Sequence, residues 1–116
     1  MSDALDRFAR TPRPPYFAVI FTSQRAALDV DAYARAADRM LELARARPGF
    51  LGVESARDAG GFGLTVSYWT SEEAIAGWKR DLEHLAVQRA GRDRWYEHFE
   101  LRVAKVERAS SFTARP

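Results

Sequence analysis

The chain predicts an α+β fold of the ferredoxin-like type, in the order β-α-β-β-α-β, with an antiparallel sheet carrying both helices on one face. Three observations carry that expectation. Residues 62–69 alternate β-branched and aromatic side chains at a period of two, and the strand runs without a loop into Thr70-Ser71-Glu72-Glu73, a helix start. Residues 30–47 hold a helical apolar stripe, and residues 96–108 return to strand alternation.

With 116 residues, 47% apolar and 29% charged, the chain has the size and composition of one globular domain. It has no cysteine, so a disulfide framework and a thiolate zinc site are excluded. No run approaches the roughly 18 apolar residues of a membrane helix. The first ten residues are mixed polar and acidic, unlike a signal peptide, and a cytoplasmic location is expected. Net charge is only +2, and arginines alternate with acids, as in Arg92-Asp93-Arg94. That pattern describes a solvated, ion-paired surface and argues against a nucleic-acid partner.

In chain order, residues 1–15 are expected to form a disordered or extended tail, because Pro12, Pro14 and Pro15 keep the segment out of a helix. The domain proper spans 16–108, with a second tail at 109–116. Tyr16 to Thr22 is the first strand, apolar on both faces. Asp29 or Asp31 caps the first helix, whose stripe is Tyr33, Ala37, Met40, Leu41 and Ala44; Asp38 lies off that stripe. Pro48-Gly49 stops it, Gly49 in the left-handed conformation. The second strand, 50–57, turns at Asp58-Ala59-Gly60-Gly61 into the third.

Thr70 and Glu73 form an S/T-x-x-E capping box for the second helix. Gly77 predicts a break near residue 79, and Gly91 an end. In the last strand Phe99, Leu101 and Val103 face one way and His98, Glu100 and Arg102 the other, with a bulge expected near Lys105. Strands apolar on both sides leave a bare face opposite the helices, and a face of that kind is an interaction surface. A homodimer through the sheet face is the expected outcome.

Pro48-Gly49-Phe50-Leu51-Gly52, then Ser67-Tyr68-Trp69-Thr70-Ser71-Glu72-Glu73-Ala74-Ile75 with Trp78, then Glu83-His84-Leu85 and Trp95-Tyr96-Glu97 together resemble the antibiotic biosynthesis monooxygenase family. The resemblance covers about residues 16–108. It implies a dimeric α+β barrel built from two facing sheets, with a pocket between the helices and the sheet. It also implies one of several activities: cofactor-free oxidation of aromatic intermediates to quinones, heme degradation, or none established. Trp78 occupies the place of a tryptophan found in heme-degrading members. Their iron-ligating histidine is matched here by Gln88, and their first-strand asparagine has no counterpart in residues 17–22. Heme is therefore disfavoured, and no cofactor and no metal are expected.

Against this background His84 is the candidate acid–base residue, with an ordinary pKa near 6.5 that suits proton abstraction from a phenol. A lone histidine on a helix is more often a surface or core-edge residue. His98 is a weaker candidate of the same kind. Trp78 and Phe21 would hold a flat ring in an apolar pocket, or simply fill the core. Tyr68, Gln88 and Arg89 complete the candidate substrate contacts; Tyr68 shares a face with Leu64 and Val66 and also suits the core, and Arg89 also suits a surface ion pair. The expectation is a cofactor-independent monooxygenase acting on a small aromatic or quinol-like molecule. The alternatives are a non-catalytic small-ligand-binding or stress-response barrel, and an atypical heme-binding member.

Overall fold

A computed structural model describes residues 3–26, 30–88 and 96–114. The elements are β1 (Tyr16–Arg25), α1 (Val30–Arg45), β2 (Phe50–Arg57), β3 (Phe62–Trp69), α2 (Glu72–Gln88) and β4 (Tyr96–Val106). The strands form one antiparallel sheet in the order β2-β3-β1-β4, which is the ferredoxin-like arrangement the sequence predicts.

Register sorts the side chains into two faces. Phe17, Val19, Phe21 and Ser23 of β1 sit beside Trp69, Ser67, Thr65 and Gly63 of β3, and beside Lys105, Val103, Leu101 and Phe99 of β4. This face carries the helices. The core gathers Val19 and Trp69 of the sheet with Ala44 of α1 and Ile75 of α2, flanked by Phe17, Phe50, Ala74 and Trp78. Trp69 is fully buried. At roughly 150–250 Å² of surface and about 25 cal/mol per Å², its burial alone contributes on the order of 4–6 kcal/mol before entropy.

Several local expectations change. The N-cap of α2 is Ser71, whose hydroxyl accepts the Ala74 N–H at 3.1 Å. Thr70 is displaced from that role because its own N–H still bonds the Gly49 carbonyl at 2.8 Å, so it belongs to the end of the sheet. Gly77 does not break α2, which is continuous. Instead, a Cβ there would stand 3.1 Å from the Arg47 guanidinium carbon. Arg47 leans across this gap, donating to both Asp81 carboxylate oxygens at 2.8 Å and to the Gly77 carbonyl at 3.0 Å. The hydrogen bond to Asp81 holds the Arg47 pKa above its ordinary value. The fork ties the residues just after α1 to the middle of α2, and α1 itself ends at Arg45, two residues short of the expected end.

β1 runs three residues longer than predicted, to Arg25, and its pairing with β4 is regular at Lys105. The irregularity lies at the other end, where Gln24 pairs with His98 and Arg25 with Tyr96. There Gly61, at φ 90°, closes the Asp58–Gly61 turn and accepts the Arg25 N–H at 2.9 Å. The capping position Asp29 lies outside the described residues.

The segment before β1 is not a loose extension. Residues 3–7 make a 3-10 turn. The Ala9 N–H donates to Glu54 Oε2 at 2.9 Å, and the Thr11 hydroxyl donates to Tyr16 Oη at 3.0 Å. An added Cβ at Gly52 would meet the Ala9 methyl at 2.9 Å, so the glycine permits this close approach. The segment lies across β2 on the face opposite the helices, and Tyr16 and Ala18 on that face are each only 5% exposed.

Candidate functional site

Strand alternation decides which side chains reach the space beneath the helices. Between α1 and the sheet lies a cavity of about 290 Å³. Its floor is Val19 and Phe21 of β1, Val53 and Ser55 of β2, Thr65 and Ser67 of β3, and Leu101 of β4. Ala37, Met40, Leu41 and Ala44 of α1 form the roof, with the Asp38 carboxylate at its exposed edge. The stripe that the sequence displays on α1 therefore faces a space as well as a core.

Trp78 closes one end. Its ring packs on Trp69 with centroids 5.2 Å apart and planes 31° apart, and its indole N–H donates to the Met40 carbonyl at 3.2 Å. That bond fixes the indole between the two helices, so Trp78 is at once packing and pocket wall. At the other end Phe21, Tyr96 and Phe99 form an aromatic cluster, with Phe21 5.4 Å from Tyr96 and 5.3 Å from Phe99.

Polar groups on the floor come from small hydroxyls. Ser55 and Thr65 share a hydrogen bond of 2.9 Å across β2 and β3, and Ser67 accepts the Trp69 indole N–H at 2.9 Å. Buried Ser23 lies beyond the floor, where the Arg57 guanidinium donates to it at 2.9 Å through the gap left by Gly63.

The structure brings together two of the expected site residues, Trp78 and Phe21. Tyr68 is not among them, because Ser67 and Trp69 on either side of it take the helix-bearing face. Its hydroxyl instead donates to Glu54 Oε1 at 2.6 Å on the outer face, and its ring meets Tyr16 edge-on at 5.8 Å. Burial, then the hydrogen bond to Glu54, push its phenol well above the ordinary tyrosine range. His84 and Gln88 belong to α2, but their side chains lie outside the described residues, as does Arg89 altogether. His98 stands on the exposed outer face, 2.7 Å from Glu100, away from the cavity. Asp38, Ser55, Thr65 and Ser67 escape sequence reasoning, since a surface acid on a helix and small hydroxyls in a strand carry no motif.

A second, larger hollow of about 380 Å³ is a surface groove on the outer face, between Arg7 and Phe8 of the N-terminal segment and Glu54, Leu64 and Val66. Among the described residues no group of three His, Asp or Glu side chains is placed to hold a metal ion.

A model of the antibiotic biosynthesis monooxygenase family matches residues 17–90, from the first strand through both helices. The chain belongs to this family. The uncharacterized protein YqjZ of Bacillus subtilis (strain 168) is 50% identical over 108 residues, 93% of this chain and 94% of that one. Solved structures share the fold at low identity. PA3566 from Pseudomonas aeruginosa superposes with a TM-score of 0.65 at 16% identity, over 86% of this chain and 100% of that one. A variant of SnoaB, a cofactor-independent oxygenase from Streptomyces nogalater, gives 0.57 at 18% identity, over 88% and 94%. The four-stranded sheet with two helices is thus the family's architecture.

Proposed function

We propose that this protein is a cofactor-independent monooxygenase that oxidises a small aromatic or quinol-like molecule with O2. The observation that carries this reading is the cavity under α1. It is apolar on its walls, bounded by the flat rings of Trp78 and Phe21, and supplied with hydroxyls on one side. Its volume, about 290 Å³, is at the small end of ligand sites and suits one or two fused rings. A porphyrin is larger than that volume, so the cavity favours a smaller ring system over heme. Family membership and the likeness to SnoaB support the same chemistry.

The reaction needs little from the protein beyond deprotonation and dry confinement. A base removes a proton from the bound phenol. The resulting anion passes an electron to O2, and the radical pair combines at a ring carbon as a peroxide. Loss of water leaves a carbonyl, one oxygen atom staying in the product and the other leaving in water. The candidates for that base are Asp38, the acidic residue that lines the cavity, and His84 on α2.

Oxygen consumption with a panel of hydroquinones and anthrone-type substrates tests the reading. Turnover lost by roughly 100-fold or more in Asp38→Asn or in His84→Ala identifies the base. Absence of turnover across the panel, with ligands still bound, moves the protein to the second reading, a small-ligand-binding barrel. That reading is favoured by the exposed setting of Asp38, the one acidic side chain lining the cavity among the described residues.

The proposal includes a homodimer joined through the outer sheet face. Ile20, Leu64 and Val66 lie on that face, and Leu64 is 45% exposed. Burying such surface against a second copy stabilises both chains.

A further inference from the structure

Ser67 is the most constrained polar group on the cavity floor. It is only 4% exposed, and its oxygen already accepts the indole N–H of fully buried Trp69 at 2.9 Å. That leaves the hydroxyl proton, for which the described residues provide no acceptor. A donor whose own oxygen is receiving a hydrogen bond is polarised and gives its proton more strongly. The Ser55–Thr65 pair, at 2.9 Å, uses one hydroxyl proton internally and leaves the other to spare. Thr65 and Ser67 are two residues apart on β3, hence about 7 Å apart along the strand. The floor therefore presents two hydroxyl donors in a line, beneath walls that grip only the faces of a ring.

We propose that Ser67 and the Ser55–Thr65 pair form a two-point oxygen-recognition row, which selects flat ligands bearing oxygens at opposite ends of a ring. A para-diol or para-quinone reaches both donors at once. An ortho isomer, with its oxygens on adjacent carbons, engages one and leaves the other without an acceptor, which costs affinity. The inference rests on the cavity assigned above and names its substrate class.

The test is binding of para-naphthoquinone and ortho-naphthoquinone to the full chain, read by quenching of Trp69 and Trp78 fluorescence. The chain has no cysteine, so thiol addition does not obscure the titration. One well-placed hydrogen bond corresponds to a change of about 2- to 12-fold. The para isomer is expected to bind tighter than the ortho isomer by a factor in that range. Ser55→Ala combined with Thr65→Val, one position exposed and the other half-buried so that the fold is little disturbed, abolishes the preference. Ser67→Ala weakens both isomers.

Equal affinity of the two isomers for the wild type overturns the proposal, as does a preference that survives the double substitution. Failure of both isomers to quench overturns the cavity assignment itself. The expected binding pattern without oxygen consumption by the reduced para-diol supports the recognition row while overturning catalysis.

Discussion

Gly49 is the residue least free to change. Its φ is 95°, and an added Cβ would stand 2.7 Å from Thr70 Oγ1 and 2.8 Å from the Ala74 methyl. The left-handed backbone alone costs an alanine about 1–2 kcal/mol. Gly49→Ala is therefore expected to destabilise by at least about 2 kcal/mol, a loss near 8 °C in a thermal melt at about 4 °C per kcal/mol. The Tyr68–Glu54 hydrogen bond gives a second residue-level prediction. The native phenol ionises above its ordinary value, whereas an unfolded tyrosine ionises near pH 10. Above that pH the unfolded chain binds fewer protons, so stability falls as pH rises. Tyr68→Phe is expected to lose about 1 kcal/mol at neutral pH and to flatten the alkaline limb of the stability curve. An unchanged limb would show that Tyr68 is not its source.

At the scale of elements, the strand-to-helix junction corrects the cap that the sequence predicts, Thr70 in a box with Glu73. The structure places the accepting hydroxyl on Ser71. Ser71→Ala is expected to cost about 1 kcal/mol, and Thr70→Ala less than half of that; the reverse order in chemical denaturation would restore Thr70 as the cap. The period of two and the period of 3.6 were strong enough to place every strand and both helices, because they reflect which face is buried. What periodicity does not encode is a contact between distant residues. Gly77 reads locally as a helix breaker, and only the arrival of Arg47 from the end of α1 explains it as clearance. The bulge was misplaced for the same reason, since it is fixed by the Gly61 turn meeting Arg25 and not by β4 alone. For the site, Trp78 and Phe21 were legible as large apolar residues at correct phase. Ser67 was invisible because a serine in a strand announces nothing until the indole beside it is seen to occupy its oxygen.

For the whole molecule, the outer sheet face is the feature with most bearing on assembly. Leu64 and Val66 line it, and Phe8 of the N-terminal segment stands beside them, 65% exposed. Leu64→Glu is expected to convert a dimer into monomers in light scattering without lowering secondary structure by circular dichroism. A wild-type monomer at micromolar concentration would remove the sheet-face dimer from the proposal. A different consequence follows from the pairing of Tyr16 with Val106. The point where the chain enters the sheet lies directly beside the point where it leaves, while residues 58–60 are exposed at a hairpin tip. Such a domain suits circular permutation. Joining residues 106 and 16 by a short linker and opening the chain at Gly60 would keep all three strand pairings, free the outer face of the Ala9 segment, and give a rearranged gene product whose pocket is intact.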